Sequence, residues 1–429
     1  MVRTRRRSPS GDGVRAAGGG VLAVLLLAAA LPAAFAAPAG DAPSPGRGPA
    51  TELLSAAVDG GPADGASGSP VISADGRVAA FTSAATNLVR GDDNGRSDLF
   101  VRDLRGGGLQ RVVDPRGEIR SPALSANGRY VAYGRSDGSH SAVIVHDLRT
   151  GRSERADVDL APEHADGHTP AVSADGRTVA FAVHGTGPGP EGADAVYVRD
   201  LRARHTERVR VPAGPDDGFR SFRAPSLSAD GTKVAYQYVH GDPPRGDWSD
   251  LYVHDRDTGR TTQADTTHDG TPATGAATNP LLSADGSTLA FDSAARNLVP
   301  GPDPNDSGNP FVRDLRSGAI RRVDAKAPGP EGVVTVDGVS AHGTKLLLDT
   351  YPVLTTEDAE HIRDLRTDTD VLVSPDKDGR PADAVDARMD SRARTVVFAG
   401  SDQEDFVPDD TNGVMDVFVW RNGGSKKPW

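Results

Sequence analysis

One four-residue phrase returns along this chain at a near-constant interval. It reads SADG at Ser73, SANG at Ser125, SADG at Ser173, Ser228 and Ser283, SAHG at Ser340 and DSRA at Asp390. The spacings are 52, 48, 55, 55, 57 and 50 residues. Asp-Gly and Asn-Gly favour tight hairpin turns, and a period near fifty that carries one such turn per unit is the signature of a propeller. A unit of this size cannot bury both its faces alone, so the units must stack on one another.

Each unit divides into four short β segments. The first ends in the phrase itself (SPVIS, SPALS, TPAVS, APSLS, NPLLS) and the second is apolar (RVAAFTS, RYVAYGR, RTVAFAV). A loop of variable length leads to the third (DLFVRDL, AVIVHDL, AVYVRDL, DLYVHDR, NPFVRDL), and an RTG-type turn opens the fourth. Five first segments contain a proline, at Pro70, Pro122, Pro170, Pro225 and Pro280. Proline donates no ladder hydrogen bond and belongs at a sheet edge, which places these segments beside a central channel. Seven inner triplets are present, but the last ends near Trp420 with only NGGSKKPW after it. Residues 51 to 65 resemble the fourth segments elsewhere, so the start of the repeat region is expected to complete the last blade. The expected fold is therefore all-β, a seven-bladed propeller of four-stranded blades closed by its N-terminal strand, which leaves no free sheet edge.

The units are similar to the TolB-like, WD-like propeller repeat, whose words run close to SPDGxxIAFxS and IYVxDLxxG. The resemblance covers residues 51 to 421 and implies the fold. For function it implies only a range, since such repeats serve scaffolds, protease gating domains and lyases. The related propellers of prolyl-oligopeptidase-like enzymes accompany an α/β-hydrolase domain, and no stretch outside the repeats is long enough to supply one.

Before the repeats, residues 1 to 36 combine a basic start, an apolar run from Val21 to Leu31 and small residues at Ala34 and Ala36. This is the pattern of a secretory signal peptide cleaved after Ala36. The run is too short for a permanent membrane span, so a secreted, extracytoplasmic protein is expected. Residues 37 to 50 read as a flexible linker, residues 51 to 421 as the propeller and residues 422 to 429 as a tail. There is no cysteine, which excludes disulfides and a lipobox anchor. The net charge is −12, and loss of residues 1 to 36, with five arginines and one aspartate, makes it −16. That surface argues against nucleic acid as a partner. A monomer is expected.

Asp103, Asp147, Asp200, Asp255, Asp314 and Asp364 recur at the end of the third segment, and repetition in six units points to a turn-bonding role rather than chemistry. His146 and His254 are read the same way. Acidic loops at 91 to 98, 301 to 309 and 408 to 416 offer oxygen ligands for calcium but lack the spacing of an EF-hand. The remaining candidates lie in the long connections of units three and four, which a propeller gathers on one rim. Phe219, Phe222 and Trp248 lie in predicted loops beside Arg220 and Arg223, and aromatic and arginine groups on loops are typical binding anchors. His164, His168, His184 and His240 offer imidazoles nearby. No catalytic set stands out, and no cofactor is implied beyond calcium at the acidic loops or a transition metal at the histidines. The expected function is a binding or scaffold module that engages a protein or an envelope or extracellular glycan through its long-loop face. The alternative is a metal-assisted polysaccharide lyase or hydrolase, similar to propeller-type oligogalacturonate lyases.

Overall fold

The computed structural model describes residues 50–160, 166–184, 194–209, 220–242, 246–302, 308–323, 333–351, 358–400, 405–408 and 410–423. Residues 1–49, on which the expected signal peptide and most of the expected linker fall, lie outside them, as do His164 and Phe219.

The described residues form seven antiparallel sheets of four strands each, with no helix among them. Blade one runs from the axis outwards as Ser67–Ile72, Val78–Ser83, Asp98–Asp103 and Leu109–Val112. Five further blades repeat that order, and the seventh is Ala384–Met389, Thr395–Gly400 and Asp416–Arg421, completed on its outer side by Ala50–Leu53. The closing strand pairs from Ala50 opposite Arg421 to Leu53 opposite Phe418, and Arg421 Nη1 donates to Glu52 Oε2 at 2.8 Å. The seven-blade count and the N-terminal closure expected from the repeat are both present.

The repeated phrase is the joint of the ring. In blade three, Ser173 Oγ accepts the Thr178 N–H at 2.9 Å and donates to Asp175 Oδ1 at 2.8 Å, while that carboxylate accepts the Arg177 N–H. The turn thus satisfies its own backbone and holds the serine fully inside. Gly176 sits at φ 75°, and a Cβ there would lie 2.0 Å from Cδ2 of Tyr130 in blade two. Backbone bonds then link turn to turn around the molecule: Ala74 N to Ala126 O, Asn127 N to Ala174 O, Ala174 N to Ala229 O, Ala229 N to Ala284 O, Asp285 N to Ala341 O, Ala341 N to Ser391 O, and Ser391 N back to Ala74 O, at 2.8 to 3.3 Å. The six repeated aspartates accept turn N–H groups at 2.8 to 3.1 Å, as a structural role requires.

Second and third strands meet through ring pairs such as Phe81 with Phe100, Phe291 with Phe311 and Phe398 with Phe418, at centroid distances of 5.8, 5.7 and 5.6 Å. Those six rings have at most 1% of their surface exposed, and each contributes about 2 to 3 kcal/mol on burial. The five prolines line a cavity of about 480 Å³ on the axis, which confirms the first strands as the channel wall.

Candidate functional site

Blade four departs from its neighbours in length. Its second and third strands, Lys233–Asp242 and Gly246–Asp255, each have ten residues and pair along their whole length, from Lys233 opposite Asp255 to Asp242 opposite Gly246. The segment read from the sequence as a loop is therefore a hairpin arm. Trp248 belongs to a strand, not a loop, and so does Phe222, in the first strand Arg220–Leu227. The physical reason is alternation: Val234, Tyr236, Tyr238 and His240 stand two residues apart and keep one face of the arm occupied past the usual strand end.

That face collects most of the candidates. Phe222 is 4% exposed and stacks on Tyr238 at 5.0 Å, and Tyr238 stacks on His240 at 5.2 Å. Asp250 binds His240 Nε2 at 3.2 Å and accepts the Trp248 Nε1–H at 3.3 Å. Trp248 and His240 are half-buried, so the ring edges reach the surface while Phe222 is a packing residue beneath them.

The opposite wall comes from blade three. His168 pairs with Ala182 across the sheet, and His184 follows two residues later on the same face. Their rings stack at 4.3 Å. His168 Nδ1 meets Thr169 Oγ1 at 3.1 Å, and His184 Nδ1 meets Asp194 Oδ2 at 3.1 Å, with 56% of the His184 side chain exposed. Ala180, Val196 and Val198 continue this face downward into a shared core with Phe222, Val234, Tyr236 and Tyr238. The two polar sets therefore crown one interblade interface, a histidine pair on one wall and a Trp-Asp-His set on the other.

Not every candidate joins them. Arg223 alternates to the opposite face from Phe222, is exposed, and donates to Ser221 Oγ at 3.5 Å. The Arg220 backbone pairs with His240, so it too lies in the first strand rather than a loop. Three converging ligands are needed for a histidine metal centre, and among the described residues the histidines form no such group. In the acidic loop at 91 to 98 the carboxylates have partners: Asp98 accepts from Asn94 Nδ2 at 2.9 Å and from Arg111 Nε, on the fourth strand, at 2.7 Å, and Arg111 pairs with Asp92 at 2.6 Å. A G-x-S-x-G string at Gly134–Gly138 ends the second strand of blade two and runs into a loop rather than the helix of a nucleophile elbow. A cavity of about 970 Å³ near the closing strand is lined by Leu53, Val58, Leu88, Leu109 and Val407, with Glu52, Asp59, Arg90 and Arg102 also on its wall.

The residues that do bring three ligating groups together were not singled out by sequence. Asp337, Asp349 and Glu360, one from each inner strand of blade six, place carboxylate oxygens within 4.8 Å of one another. Burial raises the pKa of all three; it pushes Asp349 up to about 7 and Glu360 well above the carboxylate range, with the neighbouring carboxylates adding to it. The available signal was a break in the repeat, EHIRDL where five units have an apolar residue in place of the glutamate and a sixth has proline.

No family model matches the chain, and no curated protein matches it by sequence. Solved structures match by shape. An oligogalacturonate lyase in complex with manganese aligns with a TM-score of 0.58 at 13% identity, covering 88% of this chain and 97% of that one. The β-propeller domain of the Trilobed protease from Pyrococcus furiosus aligns at 0.56 and 13% identity, covering 84% and 96%. TolB from Acinetobacter baumannii aligns at 0.42 and 18% identity over 72% of this chain, which spans 64% of that protein. At these identities the likeness speaks to fold, and the chain is a seven-bladed β-propeller whose repeat words resemble those of TolB-like proteins.

Proposed function

We propose that the protein is an exported binding module whose ligand, a protein segment or a glycan, seats at the rim between blades three and four. The observation that carries this reading is the pair of facing polar sets. Here His168 and His184 oppose His240, Trp248 and Asp250 above the Phe222–Tyr238 floor, and the set combines aromatic rings with polar groups that reach the surface. An aromatic ring supplies apolar area with little entropy to lose, and a carboxylate beside it gives direction. Such a set suits a ligand that carries both apolar faces and hydroxyl or amide donors. Long blade-four strands lift the site to the rim, where a chain-like ligand can reach it. The signal-like pattern of residues 1 to 36 supports export, and the acidic surface disfavours nucleic acid. No described helix is long and apolar enough to cross a membrane.

Capture from native culture fluid and a glycan array, each run with wild type and with a His184→Ala/Trp248→Ala double variant, test the reading. Both side chains are partly exposed, so the variant should fold with an unchanged thermal midpoint while ligand recovery falls at least about tenfold, the loss of one hot-spot contact. Equal recovery by the two proteins removes the site. The array and the capture separate a glycan from a protein ligand.

A further inference from the structure

Blade six departs from the repeat at Glu360 and Asp337, and both meet Asp349, whose place blade five also fills with a carboxylate, Asp292. Glu360 stands opposite Asp349 in the ladder between second and third strands. The same ladder position holds Leu99 opposite Thr82, Val143 opposite Gly134, Val196 opposite Ala182, Leu251 opposite Gln237, Pro310 opposite Asp292 and Val417 opposite Ala399 in the other blades. Leu99, Val143, Val196, Leu251 and Val417 are at most 1% exposed. The sequence thus puts a glutamate into a core site that elsewhere takes an aliphatic side chain. Asp337 is the second departure: counted from the turn serine, it occupies the place of Pro70, Pro122, Pro170, Pro225 and Pro280. It forms a bulge between Val336 and Gly338.

Two like charges directly opposite on a sheet destabilise it, and burial multiplies that cost. Glu360 is 0% exposed and Asp349 3% exposed; Tyr351 bonds the Asp349 carboxyl and Asp337 lies beside Glu360, but among the described residues no well-aligned donor reaches either Glu360 oxygen or Asp349 Oδ1. Such orphaned oxygens inside a packed interface require a partner. Leu347 and Ile362, two residues along each strand on the same face, pack against blade seven, so the carboxylates lie in the interface of blades six and seven. The surrounding field is also negative. Asp358, Asp383 and Asp386 add to it, and Arg388 is the opposing charge felt by Asp337 and Glu360.

We propose that Asp337, Asp349 and Glu360 form a site for one divalent cation of the hard, oxygen-binding class, calcium foremost. Three oxygens within 4.8 Å of one another surround a point at most about 2.8 Å from each, and small side-chain adjustments bring them to the calcium range of about 2.3 to 2.6 Å. A purely carboxylate set favours calcium, magnesium or manganese over metals that seek imidazole or thiolate. Asp337 is half-buried in the channel-side strand and offers the route by which an ion enters, while Glu360 closes the inner end. The bound ion would join all three inner strands of blade six and offset the charge that otherwise strains the interface with blade seven.

The test uses the full chain, stripped with chelator and titrated with calcium, magnesium or manganese chloride by calorimetry and by thermal melts. One calcium per chain and a saturable rise in midpoint are expected. Glu360→Leu restores the residue type that blades one and four carry, so it should fold, and its calcium affinity should fall by about 100-fold or more. Asp337→Asn, at a half-buried position, provides the same readout if the leucine variant does not fold. Absence of heat and of any midpoint shift with all three ions at millimolar concentration overturns the proposal. Wild-type calcium affinity in the variants overturns it equally.

Discussion

Asp265 has none of its surface exposed, accepts the Leu251 N–H at 3.1 Å, and lies in the field of Asp250. Burial first and that neighbouring carboxylate second raise its pKa to about 7. A carboxyl whose folded pKa exceeds its unfolded value stabilises the fold below the unfolded pKa, and that contribution is lost as pH rises through the folded pKa. Stability should therefore decline between about pH 4 and pH 7. Asp265→Asn keeps an oxygen for Leu251 and removes the charge, so urea titrations should show a flatter profile and a gain at pH 8 of up to about 4 kcal/mol. A variant with the wild-type pH profile would contradict this assignment. Very little of this was legible in the sequence. Asp265 looks like any other polar residue after a fourth strand, because its burial is made by partners a whole hairpin away. Glu360 was more accessible to reading, since a charged residue in an apolar column of a repeat is visible once the columns are aligned.

The element that matters most is the hairpin, and here local chemistry and fold agree. Six of the seven turn phrases set a serine to bond its own backbone and a glycine to admit the neighbouring blade, and the seventh uses Asp390 and Ala393 in their places. Gly176→Ala would combine a left-handed φ of 75° with a Cβ 2.0 Å from Tyr130. The expected loss is about 2 kcal/mol or more, from backbone strain plus overpacking, measurable as a lower urea midpoint with an unchanged slope; a loss below about 0.5 kcal/mol, the size of an ordinary surface change, would contradict it. Turns of this kind were readable because their requirement is local. The long arm of blade four was not: Pro243, Pro244, Gly241 and Gly246 suggest a loop, whereas the pairing of Tyr238 with Asp250 and His240 with Trp248 depends on two strands at once. A loop reading of Phe222 and Trp248 follows from those residues, whereas both lie in strands of blade four.

At the scale of the molecule, the cleft of blades three and four and the carboxylates of blade six are both located by a closed ring. Seven blades with an unbroken cycle of turn-to-turn bonds hold each interface in place, and the last blade closes by borrowing Ala50–Leu53 from the other end of the chain. Count and closure were legible because the repeat is periodic and its last unit is one strand short. The ligand was not, because no recurring word carries it. Removal of residues 1–53, compared with removal of residues 1–46, is the most direct check on the ring. The longer deletion strips the closing strand, the Glu52–Arg421 pair and the cover of the last blade edge, with roughly 1 kcal/mol for each net hydrogen bond lost. The account predicts a thermal midpoint several degrees lower than that of the shorter deletion, together with self-association through the bared Asp416–Arg421 edge. Identical midpoints and monomeric behaviour for the two proteins would contradict it.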